Sequence, residues 1–298
     1  RSPFCQTRQY TQSEWQGMRS RLAQSSYPAP IPVSTSKSDR EFLLERMERH
    51  LKRRATAGAA VSGPASCEEA PLPSLTISRQ CGAGLSRIER PLLEYLDGLE
   101  SGPSPSWALF DQSLLGRIVE DQRLPPLAEP FLAENTKFPV AEALRERLAL
   151  PRSEWTLFNH SASAIRQLCR AGGALVVGRA GNFVTSDLGN TFHVRLIADK
   201  KSRIGFVVKR LRIDAKDAAE MVEETDKARA RFVNRHTGGE IDDAVAYHLI
   251  VNTDHFDDEV AVRVIADSMH EWAEARAQSA DESGPTWQVP PATHDNVI

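Results

Sequence analysis

The sequence predicts an α/β fold built on a parallel sheet with helices on both faces. Three observations carry that expectation. Short apolar runs without strict alternation recur along the chain, as buried parallel strands require. Longer patterns at helical spacing separate them in the order β-α-β-α-β-β-α-β-α, which implies crossover connections over a covered sheet. Glycines or polar residues follow three of the runs, at Gly82–Gly84, Asp111 and Gly178–Arg179. Ligands of such sheets bind at the carboxyl ends of the strands.

Residues 1 to about 73 read differently. They are rich in Ser, Pro, Ala and Gln and poor in apolar residues, a composition that buries too little surface to offset chain entropy. Most of this extension is expected to be disordered and dispensable for folding. One island, about 38–54, reads as an amphipathic helix. Ser38 and Glu41 form a capping-box pattern, and Leu43, Met47 and Leu51 make an i, i+4, i+8 stripe that Leu44 widens. The stripe fits a helix resting on the globular domain, or one that docks a protein partner. Ala55 to Pro73 reads as a linker.

The globular domain is expected over 74–275. Strand candidates are Leu75–Ile77, Trp107–Phe110, Ala174–Val177, Thr191–Ala198 and Tyr247–Val251. After the first comes Gly82-Ala83-Gly84, then Ile88, Leu92, Leu93 and Leu96 at helical spacing. Strand, glycine turn and helix is a layout that binds phosphate, because curled backbone N–H groups and the helix N-terminus point at one place. An ordinary βα turn has the same layout, and the P-loop pattern is incomplete here. Arg79 stands at its first glycine and Leu85 at its lysine. Ile165, Leu168 and Cys169 mark a helix ending at Gly172-Gly173. Ala218, Met221, Val222, Thr225 and Phe232 mark a second. Val260, Val264, Ile265, Met269 and Trp272 mark the last, capped by Asp257 or Asp258. A flexible tail is expected over 276–298.

A net charge of −3 in 298 residues, with both signs interspersed, argues against a nucleic-acid polymer as partner. No apolar run approaches 18 residues, so no membrane span is expected. The N-terminus lacks the apolar core of a secretory signal. Cys5, Cys67, Cys81 and Cys169 lack metal-ligand or redox spacing, which suits reduced thiols in the cytoplasm. No histidine pair has ligand spacing, so no protein metal site is expected. His236 and His255 read as solvated loop residues.

Five blocks together resemble the cytidylate kinase-like family. They are Ile77 to Gly84 (I-S-R-Q-C-G-A-G), Phe110 to Leu115 (F-D-Q-S-L-L), Val176 to Phe183 (V-V-G-R-A-G-N-F), Thr225 to Phe232 (T-D-K-A-R-A-R-F) and Tyr247 to Thr253 (Y-H-L-I-V-N-T). The resemblance covers roughly Leu75 to Met269. It implies a three-layer P-loop-type domain with a helical lid, and ATP- and Mg2+-dependent phosphoryl transfer to a pyrimidine nucleoside monophosphate such as CMP or dCMP. Phosphoryl transfer needs positioned cations and an oriented acceptor far more than covalent catalysis.

The resemblance assigns catalytic roles to Arg179, Asp226 and Arg229. It assigns phosphate or nucleotide binding to Arg79, Gly82, Ala83, Gly84, Ser86 and Arg87, and acceptor binding to Asp111, Gly178, Arg179, Asp226 and Arg229. Lys227 and Arg231 would belong to the lid. Arg179 reads alternatively as a strand-end surface ion pair, and the charged row around Asp226 as a solvated helix face. Leu85 is expected to crowd the glycine turn, Arg87 to add charge to it or to face solvent. Phe206 stands where the family often has arginine, and His248 where it has aspartate. These departures keep two rivals open: a catalytically degenerate nucleotide-binding or regulatory module, and a small-molecule kinase on the same fold.

Overall fold

The structure is a computed structural model that describes residues 37–60, 72–99, 107–111 and 154–282. Expectations for 1–36, for most of the linker and for the end of the tail lie outside these residues. Five parallel strands form the sheet: β1 (Ser74–Arg79), β2 (Ala108–Phe110), β3 (Ala174–Val177), β4 (Thr191–Ile197) and β5 (Leu249–Asn252). Their order is β2-β3-β1-β4-β5, with Ile77 opposite Val177 on one side of β1 and Val194 on the other. Every residue of β2 and β3, and all but one of β4, is buried. Burial at successive positions means that both faces are covered, which is why these strands lack alternation.

The helices are α1 (Lys37–Ala60), α2 (Leu85–Leu99), α3 (Glu154–Ala171), α4 (Gly181–Val184), α5 (Lys200–Leu211), α6 (Ala215–Thr237) and α7 (Asp258–Glu282). The β1→β2 and β3→β4 crossovers run in opposite directions along the sheet. Right-handed connections therefore place α2 and α4 on opposite faces. Helix α7 packs on α2, and α3 packs on β3 and α4. The strands diverge in this way at β1 and β3, the crevice where open α/β sheets take their ligands.

Helix boundaries follow local chemistry. Asp257 caps α7, its Oδ1 accepting the Val260 N–H at 2.8 Å. Gly172 and Gly173 end α3 with φ of 77° and 65°. The single helix expected between β4 and β5 is two, because Arg212 turns left-handed at φ 54° and Asp214 caps a fresh start through the Asp217 N–H. Helix α7 continues to Glu282, past the expected start of the tail, and α1 runs to Ala60, into the expected linker. His236 lies in the last turn of α6, buried and stacked on Phe158 at 4.5 Å, not in a solvated loop. The sequence reading took its polar neighbours for a loop, whereas the side chain faces the α3–α6 contact.

Helix α1 joins the main core. Leu43, Met47 and Leu51 are at most 5 % exposed and sit in one cluster with the sheet and α2. Arg46 is ion-paired with Asp97 and donates from Nη2 to the Trp107 carbonyl at 2.9 Å, while Asp97 accepts the Trp107 N–H at 3.1 Å. Helix α1 packs on β2, the edge strand, and this network anchors Trp107, the residue that leads into it. Of the two readings of this helix, the geometry fits the one that rests on the globular domain, and its buried side chains do not sit with residues 1 to 73 being dispensable for folding. A segment poor in apolar residues can still place three of them in a core when they share one helix face.

Candidate functional site

A cavity lies at the carboxyl ends of β1, β2 and β3, roofed by α6. Its lining includes Arg79, Asp111, Gly178, Arg179 and Arg229, with Thr76, Ser78 and Asn182 as further polar groups and Phe232, Val233 and Ile241 as an apolar wall. Five residues expected to bind substrate, from four separate parts of the sequence, thus meet in one place.

Local backbone makes this convergence. Gly178, Arg179 and Ala180 have φ of 78°, 56° and 54°, three successive left-handed residues as the chain leaves β3. For Arg179 and Ala180 that conformation costs roughly 1–2 kcal/mol each, a cost that functional sites commonly carry. The turn holds Arg179 at the rim, where its Nη1 donates to Ser161 Oγ of α3 at 2.9 Å. Gly178 has a second reason to be glycine: the Arg79 guanidinium occupies the space a side chain would need. Arg229, only 11 % exposed, reaches across from α6 and donates to the Arg79 carbonyl at 3.1 Å. Asp111 is buried at the end of β2.

Among the described lining residues there are three guanidiniums and one carboxylate, and Asp226, outside the lining, lies 3.9 Å from Arg229 Nη1. Burial, followed by repulsion from Arg229, pushes the Arg79 guanidinium well below its ordinary range, to about 9, with Asp111 acting in the opposite direction. A cation so destabilised remains charged at neutral pH and favours an anionic guest. Nearby, the buried Arg195 binds Ser78 Oγ at 2.9 Å and is ion-paired with Asp242. Tyr247 donates to the Ile241 carbonyl at 2.8 Å and so fixes one rim.

The glycine turn after β1 is built otherwise. Gly82 and Gly84 have φ of 81° and 79°. A Cβ on Gly82 would lie 2.6 Å from the Arg203 carbonyl, so only glycine lets α5 approach this closely. The turn is bound from every side. Gln80 Oε1 accepts the Ala198 N–H at 3.1 Å, Thr253 Oγ1 donates to the Ala83 carbonyl at 3.2 Å, and Arg203 Nη1 donates to the Cys81 carbonyl at 3.2 Å. Leu85 does not crowd the turn. Its side chain is 8 % exposed and belongs to the main core. Arg87 lies over the turn, with Nη2 2.6 Å from where a Gly84 Cβ would be. It pairs with Asp258 at 2.9 Å and stacks on Phe206 at 5.3 Å. Its side chain is 42 % exposed, so Arg87 lies over the turn and faces solvent at once. Ser86 follows Gly84 in the first turn of α2, partly exposed.

Three expected site residues lie elsewhere. Asp226 is not in the cavity: its Oδ1 accepts the Cys81 N–H at 2.7 Å and its Oδ2 accepts from Arg203 Nη1 at 2.5 Å. Lys227 points outward and pairs with Glu223 at 3.1 Å, on an exposed row of α6. Arg231 is exposed too and does not line the cavity. A helix turns about 100° per residue, so Arg229 and Phe232 face inward while Lys227 and Arg231 face water. The sequence reading missed Ser161 and the apolar wall of Val233 and Ile241, which carry no motif. His248, which replaces an expected aspartate, braces the sheet: its Nδ1 accepts the His193 N–H at 2.9 Å and its ring stacks on Phe192.

A parallel α/β sheet thus carries an arginine-lined cavity beside a glycine turn. The chain belongs to the cytidylate kinase-like family, whose sequence pattern matches residues 106–255, half of its length. The match spans Asp111, Arg179, Asp226 and Arg229 and begins after the glycine turn. No curated protein matches the sequence. Among solved structures, an uncharacterized protein from Eubacterium ventriosum is similar at 18 % identity and a TM-score of 0.48, covering 66 % of this chain and 98 % of its own. A gluconokinase from Sinorhizobium meliloti is similar at 11 % identity and a TM-score of 0.41, covering 70 % of this chain and 99 % of its own. Among the described residues no helix is long and apolar enough to cross a membrane.

Proposed function

We propose that the chain transfers a phosphoryl group from ATP to a pyrimidine nucleoside monophosphate, CMP or dCMP. The observation that carries this reading is the meeting of Arg79, Arg179 and Arg229 with Asp111 beside a glycine turn. A dianionic phosphate offset by guanidinium forks suits that cavity, and bidentate arginine contacts also fix its orientation. The apolar wall of Phe232, Val233 and Ile241 suits the flat face of a base. Phosphoryl transfer spreads charge over the equatorial oxygens, and cations already in place stabilise it without reorganisation.

The donor side rests on the turn at Gly82–Gly84, with the N-terminus of α2 and the Arg87 guanidinium as its positive groups. The Ser86 hydroxyl, at the position where a P-loop has Ser or Thr, would help hold Mg2+ together with the phosphate oxygens of ATP. Mg2+ neutralises the donor's terminal phosphates. Among the described residues no three His, Cys, Asp or Glu side chains cluster to hold a metal.

A second reading, a nucleotide-binding module without turnover, draws support from Arg87, whose guanidinium is held over Gly84 by Asp258 and Phe206. An assay of ADP formation across CMP, dCMP, UMP, AMP and no acceptor decides between the readings. Turnover with CMP or dCMP above the other acceptors is the expected result. ADP formation with none of them, beside measurable nucleotide binding by calorimetry, would favour the module.

A further inference from the structure

We infer that Asp226 is a positioning residue that ties the glycine turn to helix α6, so that the turn and the arginine cavity are held at a fixed separation. This rests on the proposed phosphoryl transfer and adds to it a role for an expected site residue that does not line the cavity. Both carboxylate oxygens are engaged at the turn, with the Cys81 N–H at 2.7 Å and Arg203 Nη1 at 2.5 Å, and Oδ1 also lies 3.9 Å from Arg229 Nη1. Arg203 in turn donates to the carbonyls of Cys81 and Ala198, at 3.2 and 3.0 Å. Cys81 is therefore gripped at both its N–H and its carbonyl by side chains from α6 and α5. Arg229, one turn further along α6, reaches into the cavity and donates to the Arg79 carbonyl at 3.1 Å. Arg79 and Cys81 are two residues apart on the same segment. One turn of helix thus holds the exit of β1 at two points, one beside the cavity and one on the turn.

The arrangement has a chemical consequence. In-line transfer requires donor and acceptor phosphates at near-attack separation, and a misplacement on the order of 1 Å costs roughly 100-fold in rate. Two charged anchors a single helical turn apart set that separation rigidly, because a helix turn is among the stiffest spacers available. A carboxylate bound to a backbone N–H and a buried guanidinium is also unavailable to read a base. Asp226 should then affect rate and leave base choice alone.

The test uses the full chain with ATP–Mg2+ and CMP. Asp226→Ala is expected to lower kcat by roughly 10- to 100-fold, with KM for CMP within about two-fold and the ranking of CMP, UMP and AMP unchanged. Asp226→Asn keeps an acceptor for the Cys81 N–H and loses the ion pair, so it should restore part of the rate. It also carries the test if the alanine variant folds poorly. Hydrogen exchange at the Cys81 amide should accelerate in Asp226→Ala by about ten-fold or more relative to neighbouring β1 amides. A change of base ranking, or unchanged kcat in a folded alanine variant, overturns the inference. If the wild type turns over no acceptor, the proposed function falls and amide exchange alone decides: faster exchange supports the tie, and unchanged exchange overturns it.

Discussion

The arginine cavity and the glycine turn sit side by side at the end of β1, and the protein treats them in opposite ways. At the turn, the chain supplies its own partners: Asp226, Arg203, Thr253 and the Ala198 N–H bind its backbone or the Gln80 side chain. At the cavity, among the described lining residues, it gathers three guanidiniums and one carboxylate. The turn is organised as a structural joint and the cavity as a receptor. Residues that look alike in sequence, an aspartate and an arginine three apart on α6, fall on different sides of that division.

The largest effect expected is on the cavity's foundation. Asp111 rides on β2, a three-residue edge strand that α1 covers. A chain starting at residue 74 loses the burial of Leu43, Met47 and Leu51, roughly 2 kcal/mol each. Its melting temperature should fall by roughly 10–20 °C, as read by calorimetry. A fall of only a few degrees would show that α1 is an accessory to the sheet. Next comes the turn. Leu85→Gly removes a core side chain and adds a helical glycine, so it should destabilise by roughly 3–5 kcal/mol without raising turnover. Faster turnover would mean that the turn is sterically blocked after all.

The cavity itself is tested by Arg179→Ala and Arg229→Ala. Each should cost roughly 2–4 kcal/mol of transition-state stabilisation, or about 30- to 1000-fold in kcat/KM. Near-normal rates in both would remove the cavity from the chemistry and erase the contrast with the turn. The smallest effect concerns the sheet beneath both regions. His193 is buried against Thr76, its Nδ1 2.8 Å from the hydroxyl, and burial pushes it down to about 3, with His248 contributing. The native state keeps this ring neutral while the unfolded chain protonates it near 6.5. Stability from this site is therefore complete above pH 6.5 and is lost as pH falls toward 3, at up to about 1.4 kcal/mol per pH unit. Urea unfolding at stepped pH should show a shallower acid slope in His193→Gln. Equal slopes would place the acid sensitivity elsewhere.

Sequence alone determined the strands: burial on both faces writes a continuous apolar run in β2, β3 and β4, and all five candidates lie within a residue or two of β1 to β5. Strand-end position picked out Asp111, Gly178 and Arg179, and the family resemblance added Arg79 and Arg229; the structure brings these five around one cavity. Only the tertiary structure decided which charged residues of α6 face inward. Asp226, Lys227, Arg229 and Arg231 are equivalent in composition, and their directions depend on the angle at which α6 crosses the β1 exit. It decided the fate of α1 as well, since three apolar residues in a polar segment count for little until a sheet edge is there to receive them. Leu85 was settled in the same way: whether its side chain enters the turn or the core depends on the direction of α2's first turn, which is set by packing against α7 and the sheet and is written nowhere in the local sequence.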